Sequence, residues 1–151
     1  MKHRDYMKIA LELAAEAEKQ GDVPVGALVV KDGYIISRGF NCRESANSAT
    51  AHAEILAIEA ACRKLGRRRL NDCTLYVTLE PCPMCAGAVV LAGFKTLVFG
   101  CSDSLWGGSG SVFNIVEHPA TSCKTEVIAG IMEKECKEQL QSFFQKRRQK
   151  I

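Results

Sequence analysis

Two short stretches that lie well apart in the chain must meet in space, and this requirement limits the possible folds most. The first is Thr50-Ala51-His52-Ala53-Glu54 and the second is Glu80-Pro81-Cys82-Pro83-Met84-Cys85. Together they offer one imidazole, two thiols and a nearby carboxylate. Three protein ligands, an open position for water and an adjacent acid or base are typical of a catalytic zinc site. The sequence therefore predicts a fold that gathers His52, Cys82 and Cys85 around one zinc ion, with Glu54 beside them.

The spacing within each stretch favours this interpretation. If Pro83 lies in the first turn of a helix, where its missing N–H has little effect, Cys82 and Cys85 can both point at one ion. His52 and Glu54 flank Ala53, and at a helix N-terminus both can face one cavity without both binding metal. Helix N-termini favour anions, so they also stabilise the thiolates that zinc requires.

Other interpretations of Cys-x-x-Cys are a redox pair or half of a structural zinc knot. A structural zinc site normally needs four ligands, so a second strong pair should appear. The other six cysteines are scattered singly, at Cys42, Cys62, Cys73, Cys101, Cys123 and Cys136. In contrast, His-x-Glu followed by Pro-Cys-x-x-Cys is the combination found in zinc nucleobase deaminases. We expect Glu80, at the end of a strand, to be structural.

Composition is that of an ordinary globular chain. The 151 residues are 47% apolar and 25% charged, with a net charge of +3, so we expect one domain spanning 1–151. The N-terminal residues show no apolar signal sequence, and no apolar run approaches the roughly 20 residues of a membrane span. A cytoplasmic protein with reduced thiols, and no membrane association, is the resulting expectation.

The periodicity of apolar residues predicts an α/β protein. Helices are expected at about 5–20, from His52 to about Gly66, after Cys82, and from about Gly130 to the end, and strands at 25–30, 35–40, 74–79, 95–100 and 125–128. An Asp-Gly turn at Asp32-Gly33 predicts a β-hairpin. Strand, helix and strand around Cys82 predict parallel pairing, with the thiols at the carboxyl end of the sheet. The expected architecture is a three-layer α/β/α sandwich with a central mixed sheet.

The sequence resembles the bacterial tRNA-specific adenosine deaminases within the cytidine deaminase-like superfamily. Nearly the whole chain takes part, and the resemblance is carried by segments 23–27, Asn41, 50–54, 74–88 and the tail Phe143-Phe144-Gln145-Lys146-Arg147-Arg148. The zinc motifs belong to the whole superfamily, whereas the Phe-Phe-x-x-Arg-Arg tail is more specific to the tRNA branch. Ser48-Ala49 departs from the Asp-Pro of many relatives, and Leu105-Trp106 occupies a loop that is often more polar.

The resemblance implies a homodimer that binds a tRNA anticodon loop and converts the wobble adenosine to inosine, mainly on an arginine tRNA. It also implies zinc ligation by His52, Cys82 and Cys85 and proton transfer by Glu54. Asn41 matches the asparagine that hydrogen-bonds the flipped base, and Val25 matches a residue lining the base pocket. Asp103 and Phe144 match positions near the bound anticodon loop.

The C-terminal tail bears on the choice of substrate. The tail, which continues to Lys150, combines aromatic and basic residues, so it suits RNA backbone contact and base stacking. Helical spacing also allows both phenylalanines to be core residues with solvated arginines beside them.

Two rival functions share the zinc residues: a deaminase of free guanine or cytosine, and a non-catalytic RNA-binding module with a closed four-ligand zinc site.

Overall fold

The computed structural model describes residues 1–149, so Lys150 of the basic tail and Ile151 lie outside the described residues. The helices are α1 (His3–Lys19), α2 (Ala53–Leu65), α3 (Pro83–Ala92) and α4 (Glu133–Gln149). The strands are β1 (Gly26–Lys31), β2 (Tyr34–Phe40), β3 (Thr74–Leu79), β4 (Thr96–Cys101) and β5 (Glu126–Ile128), with one 3-10 turn at Pro119–Thr121. Among residues 1–149, no helix combines the length and apolar composition that a bilayer crossing needs.

The strands form one mixed sheet in the order β2-β1-β3-β4-β5. β1 pairs antiparallel with β2 and β3, whereas β3, β4 and β5 run parallel. The hairpin between β1 and β2 turns through Asp32 and Gly33, whose φ angles of 50° and 79° match the turns that two-residue hairpins favour. The predicted hairpin and the predicted parallel pair around α3 are both confirmed.

The sheet is buried on both faces, which confirms the three-layer architecture. α1 and α4 cover one face, where Met7 and Cys136 pack against Leu28 and Val98. α2 and α3 cover the other face, where Ala57 and Val89 contribute to a core with Val29, Leu75 and Leu97. Alternate strand residues enter alternate cores, as the period of two in a strand requires.

The last helix and the connection before it are described more closely by the structure than by the sequence. The last helix begins at Glu133 and not near Gly130, because Gly130 and Met132 have positive φ angles of 85° and 56° that a right-handed helix excludes. The apolar stretch 112–116 forms no strand; Asn114 makes an isolated bridge to Ser109. This stretch therefore belongs to the long connection between β4 and β5, where Val112 and Phe113 are exposed.

Candidate active site

Two helix N-termini converge at the end of the sheet, and each begins at a predicted zinc ligand. His52 is the residue before α2, and Cys82 is the residue before α3, with Pro83 at the first helical position as predicted. Cys85 lies within the first turn of α3. The backbone dipoles at both helix ends favour negative charge, so the two thiols lie where thiolates are stabilised.

The distances between the ligating atoms suit a single zinc ion. His52 Nδ1 lies 3.6 Å from Cys82 Sγ and 3.5 Å from Cys85 Sγ. Tetrahedral zinc with ordinary bond lengths holds an imidazole nitrogen and a thiolate sulfur about 3.6 Å apart. Within residues 1–149 these three side chains form the one grouping of three or more potential ligands. A structural zinc knot has four protein ligands, and this group, among the residues that the structure describes, has three.

The ionisation of the two thiols is coupled. A hydrogen bond with the Cys85 thiol, followed by one with His52, lowers the pKa of Cys82 to about 4. The same contact with Cys82, together with burial, raises the pKa of Cys85, while the hydrogen bond to Cys82 raises the pKa of His52. The protein thus holds one thiolate at neutral pH before metal arrives, and the second proton leaves when a metal binds.

Glu54 is a buried carboxyl group in the first turn of α2, and it lines the same cavity as His52 and Cys82. Burial disfavours the charged form and raises the pKa of Glu54 to about 7, while His52 and Cys85 oppose this shift. A carboxyl group with a pKa near the working pH can both accept and donate a proton. Glu54 is therefore placed and tuned for acid–base chemistry beside the ligand set.

Asn41 and Val25 lie on the wall of this cavity, whose volume is about 740 Å³. The Asn41 side-chain oxygen accepts a hydrogen bond of 2.8 Å from the Ala53 N–H, the first of α2. This hydrogen bond fixes the orientation of the side-chain amide, whose nitrogen can donate to a ligand. Val25 is buried at the start of the hairpin. Both residues are where the resemblance implies base contacts, and their roles stay predictions.

Asp103, Leu105 and Trp106 form the cavity mouth after β4. The Asp103 carboxylate accepts hydrogen bonds from the backbone N–H groups of Leu105 (3.0 Å) and Trp106 (3.1 Å). This Asp-centred turn leaves Leu105 77% exposed and Trp106 63% exposed. The Asp103 side chain is thus used by its own loop, although Asp103 also lines the cavity.

The two phenylalanines of the tail have different environments. Phe143 is buried, at 8% exposure, whereas Phe144 is 43% exposed and lines the cavity. Their rings meet edge to face at 5.3 Å, and the Arg147 guanidinium lies 5.3 Å from the Phe143 ring centre. The interpretation of both as core residues is wrong for Phe144. Helical spacing did not distinguish them, because tertiary contacts decide which ring is covered.

Several residues of the site were not singled out from the sequence. Arg43, Met84 and Leu140 also line the cavity. Arg43 lies in the polar segment 42–49, between Asn41 and the zinc motif that begins at Thr50. The buried Asp22 holds this loop by accepting hydrogen bonds from Glu44 N (2.8 Å) and Ser45 N (3.2 Å). No local pattern in the sequence indicates that contact.

The architecture and the ligand set together define a zinc-binding deaminase domain. The family model for the cytidine and deoxycytidylate deaminase zinc-binding region matches residues 1–101. The tRNA-specific adenosine deaminase of Bacillus subtilis (strain 168) is 48% identical over 145 residues, covering 96% of this chain and 90% of the relative. The same-named protein of Aquifex aeolicus (strain VF5) is 44% identical, with 97% and 96% covered. The chain belongs to this deaminase family and, within it, to the tRNA-specific adenosine deaminases.

Solved structures agree with this grouping. A structure from a study of A-to-I editing by tRNA:A34 deaminases at the wobble position of transfer RNA superposes with a TM-score of 0.86 and 40% identity, covering 90% of this chain and 99% of that one. The guanine deaminase of Bacillus subtilis superposes with a TM-score of 0.66 and 36% identity, with 83% of each chain covered. The fold is thus shared by deaminases of different substrates.

Proposed function

We propose that this protein is a zinc-dependent enzyme that hydrolyses the wobble adenosine of a tRNA anticodon loop to inosine, with an arginine tRNA as its main substrate. One observation carries the proposal. His52, Cys82, Cys85 and Glu54 come together at one cavity, in a chain that matches tRNA-specific adenosine deaminases over 96% of its length.

Glu54 is assigned the proton transfers. His52, Cys82 and Cys85 would hold the zinc ion, which would supply a nucleophile near neutral pH by lowering the pKa of a water molecule. Glu54 accepts a proton from the attacking water and delivers it to N1 of the adenine as the oxygen adds to C6. It then transfers the remaining hydroxyl proton to the amino group, so that ammonia leaves and the C6 carbonyl of inosine forms. A pKa of about 7 for Glu54 suits this exchange in both directions.

Asn41 and Val25 are assigned to binding the target base. An unpaired adenine in an anticodon loop is easier to flip out than one in a duplex. The free amide nitrogen of Asn41 suits hydrogen bonding to the base, and Val25 provides an apolar wall. Asp103 and Phe144, which line the same cavity, are assigned to the neighbouring nucleotides.

The end of α4 supports an RNA substrate over a free base. Lys146, Arg147 and Arg148 occupy its last turn, directly after the cavity residue Phe144. Exposed cations beside an exposed aromatic ring suit contact with an RNA backbone and stacking on a base. A free base would need neither. RNA binding through these side chains should weaken as the salt concentration rises.

The proposal also covers organisation and location. We assign residues 1–151 to one deaminase domain that acts as a homodimer in the cytoplasm. Eight unpaired cysteines support a reducing compartment. Sedimentation equilibrium of the zinc-loaded protein should give twice the mass of one chain. A single-chain mass at the concentration used for activity assays would contradict the homodimer.

The test is incubation of the zinc-loaded protein with an arginine-tRNA anticodon stem-loop that carries the wobble adenosine. Inosine is read by mass spectrometry, with free adenine, guanine and cytosine in parallel and a wobble-guanosine stem-loop as a matched control. We expect inosine in the adenosine stem-loop alone. Turnover of free guanine with an unchanged stem-loop would favour the guanine deaminases that share the fold, and would overturn the RNA assignment.

A further inference from the structure

Glu80 is a buried carboxylate outside the ligand set. It follows the last residue of β3 and precedes Pro81-Cys82, and only 1% of its surface is exposed. A buried carboxylate is costly unless hydrogen bonds compensate for lost hydration. Its hydrogen-bond partners show what Glu80 does in this fold.

The hydrogen bonds to the Glu80 carboxylate all come from one segment, residues 102–111, which follows β4. Oε1 accepts from Asp103 N at 3.1 Å and from the Ser111 hydroxyl group. Oε2 accepts from Ser109 N at 3.0 Å and from Ser111 N at 3.1 Å. Both oxygens are engaged, and the donors lie at both ends of the segment. One side chain thus joins the beginning of the loop to its end.

The same segment rests on the turn that carries Cys82. Gly108 N donates to Pro81 O at 2.7 Å. A Cβ atom at Gly107 would lie 2.5 Å from Glu80 Oε2, and one at Gly108 would lie 2.9 Å from the Cys82 carbonyl carbon. There is no room for a side chain at either glycine. The loop therefore packs directly against Glu80 and the zinc-ligand turn.

Between its two tethered ends, the segment presents Leu105 and Trp106 at the cavity mouth, held by the Asp103 turn described above. Trp106 is the only tryptophan of the chain. Its fluorescence consequently reports on this loop alone.

We infer that Glu80 is a positioning residue, which fixes segment 102–111 on the zinc-ligand turn and thereby places Asp103, Leu105 and Trp106 at the mouth of the cavity. Glu80 also lines the cavity, but it does not belong to the group of potential metal ligands found among residues 1–149. The expected effect on RNA turnover rests on the proposed function, whereas the effect on Trp106 does not.

Glu80→Gln tests this inference in the zinc-loaded full chain. The side chain of glutamine has only one oxygen, and its NH2 group cannot accept a hydrogen bond. At least one end of segment 102–111 therefore loses its acceptor. We expect amide hydrogen exchange in 102–111 to accelerate by about tenfold or more, and the fluorescence anisotropy of Trp106 to fall. Zinc content should stay at the parent level. For the stem-loop substrate, KM should rise by about tenfold while kcat changes by less than about threefold.

Asp22→Asn is the matched control, because Asp22 is also a buried carboxylate that holds a loop, here through Glu44 N and Ser45 N. It should accelerate exchange in 42–48 and leave the Trp106 anisotropy unchanged. Ser111→Ala, which removes one donor and keeps Glu80, should give a smaller acceleration confined to 102–111. This variant keeps the test informative if Glu80→Gln does not fold.

Unchanged exchange in 102–111 and unchanged anisotropy in Glu80→Gln would overturn the inference. So would loss of zinc from Glu80→Gln, or an equal change of Trp106 in Asp22→Asn, because either would indicate a general structural effect. If the stem-loop is not a substrate of the parent protein, the proposed function fails, while exchange and anisotropy still decide the role of Glu80.

Discussion

Glu54 shows how one residue can acquire its chemistry from its position. A glutamate in the first turn of an exposed helix would be fully charged at neutral pH. Here burial raises the pKa of Glu54 to about 7, and the cavity places it beside His52 and Cys82. The pKa of the neighbouring Cys82 thiol shifts in the opposite direction, to about 4, whereas the pKa of Cys85 is raised like that of Glu54. Under the proposed function, the acid–base role of Glu54 and the metal-binding role of Cys82 are thus separated by their environments.

Replacing Glu54 should separate catalysis from metal binding. We expect Glu54→Ala to keep one zinc per chain and to lower the deamination rate by about 10²–10⁴-fold, the usual contribution of a general acid–base group. Metal analysis and a single-turnover inosine assay measure the two effects. If the variant lost its zinc together with its activity, Glu54 would be a ligand and the assignment of proton transfer would be wrong.

Among the elements, the close approach of β2 to α2 determines where α2, and with it His52 and Glu54, lies. Gly39 of β2 faces the first turns of α2, and a Cβ atom there would lie 2.9 Å from the Ala57 nitrogen and even closer to the Ala53 carbonyl oxygen. Ser37 adds a hydrogen bond of 2.6 Å to the Ala57 carbonyl oxygen. His52 and Glu54 are therefore positioned by backbone contact between a strand and a helix.

Gly39→Ala should destabilise the protein by about 1–3 kcal/mol, as overpacking of a close contact usually does. The matched control is Gly87→Ala in α3, where a Cβ atom has no neighbour within 4 Å. This control should gain up to about 1 kcal/mol, because alanine is the better helix former. Urea unfolding of both variants measures the difference. Equal stability of Gly39→Ala and the parent protein would contradict the close approach.

The contact between α1 and β3 gives the protein a pH dependence in the alkaline range. Tyr76 of β3 packs against Tyr6 of α1 with ring centres 4.9 Å apart, and its hydroxyl group lies 2.8 Å from His3 Nδ1. Burial raises the pKa of Tyr76 to about 12. The folded chain therefore keeps a proton that the unfolded chain loses above a pH of about 10.

Because the unfolded state binds fewer protons in this range, the contribution of Tyr76 to stability is lost as the pH rises from about 10 to about 12. Tyr76→Phe removes this titration, so its free energy of unfolding should decline less steeply with pH than that of the parent protein. Urea unfolding at a series of pH values measures both slopes. Parallel slopes would show that Tyr76 ionises at its ordinary pKa.

At the scale of the whole molecule, the metal site joins parts of the chain that are distant in sequence. His52 precedes α2 and the two cysteines begin α3, and β3 lies between these helices in the chain. A metal that binds only the folded state stabilises it by RT ln(1 + L/Kd), where L is the concentration of free metal. Zinc should therefore act on global stability as well as on activity.

Removal of zinc by a chelator should lower the Tm by about 10 °C, the shift expected when a ligand at about a thousand times its Kd is removed from a chain of this length. Cys82→Ser should melt at the same lower temperature with or without zinc. Cys62→Ser, which changes a cysteine outside the ligand set, should keep the zinc-dependent shift. A Tm that does not respond to chelation in the parent protein would count against this coupling.

The amino-acid sequence alone was enough to predict the features that depend on the intervals between residues along the chain. The ligands His52, Cys82 and Cys85 were found because their intervals suit one ion at helix N-termini, and the hairpin because Asp32-Gly33 suits one kind of turn. The order of helices and strands and the three layers followed from apolar periodicity. These are local properties, since each depends on a few consecutive residues.

Other features depend on contacts between residues that are far apart in sequence, and these were found only in the folded structure. In the folded protein Phe143 is buried and Phe144 is exposed, and α4 begins three residues later than the periodicity predicts. The fold also joins Glu80 to residues 103, 109 and 111, across 23 to 31 positions of sequence. The physical reason is that a buried carboxylate can be satisfied by any backbone N–H that packing brings within reach, and nothing in the local sequence says which one that is.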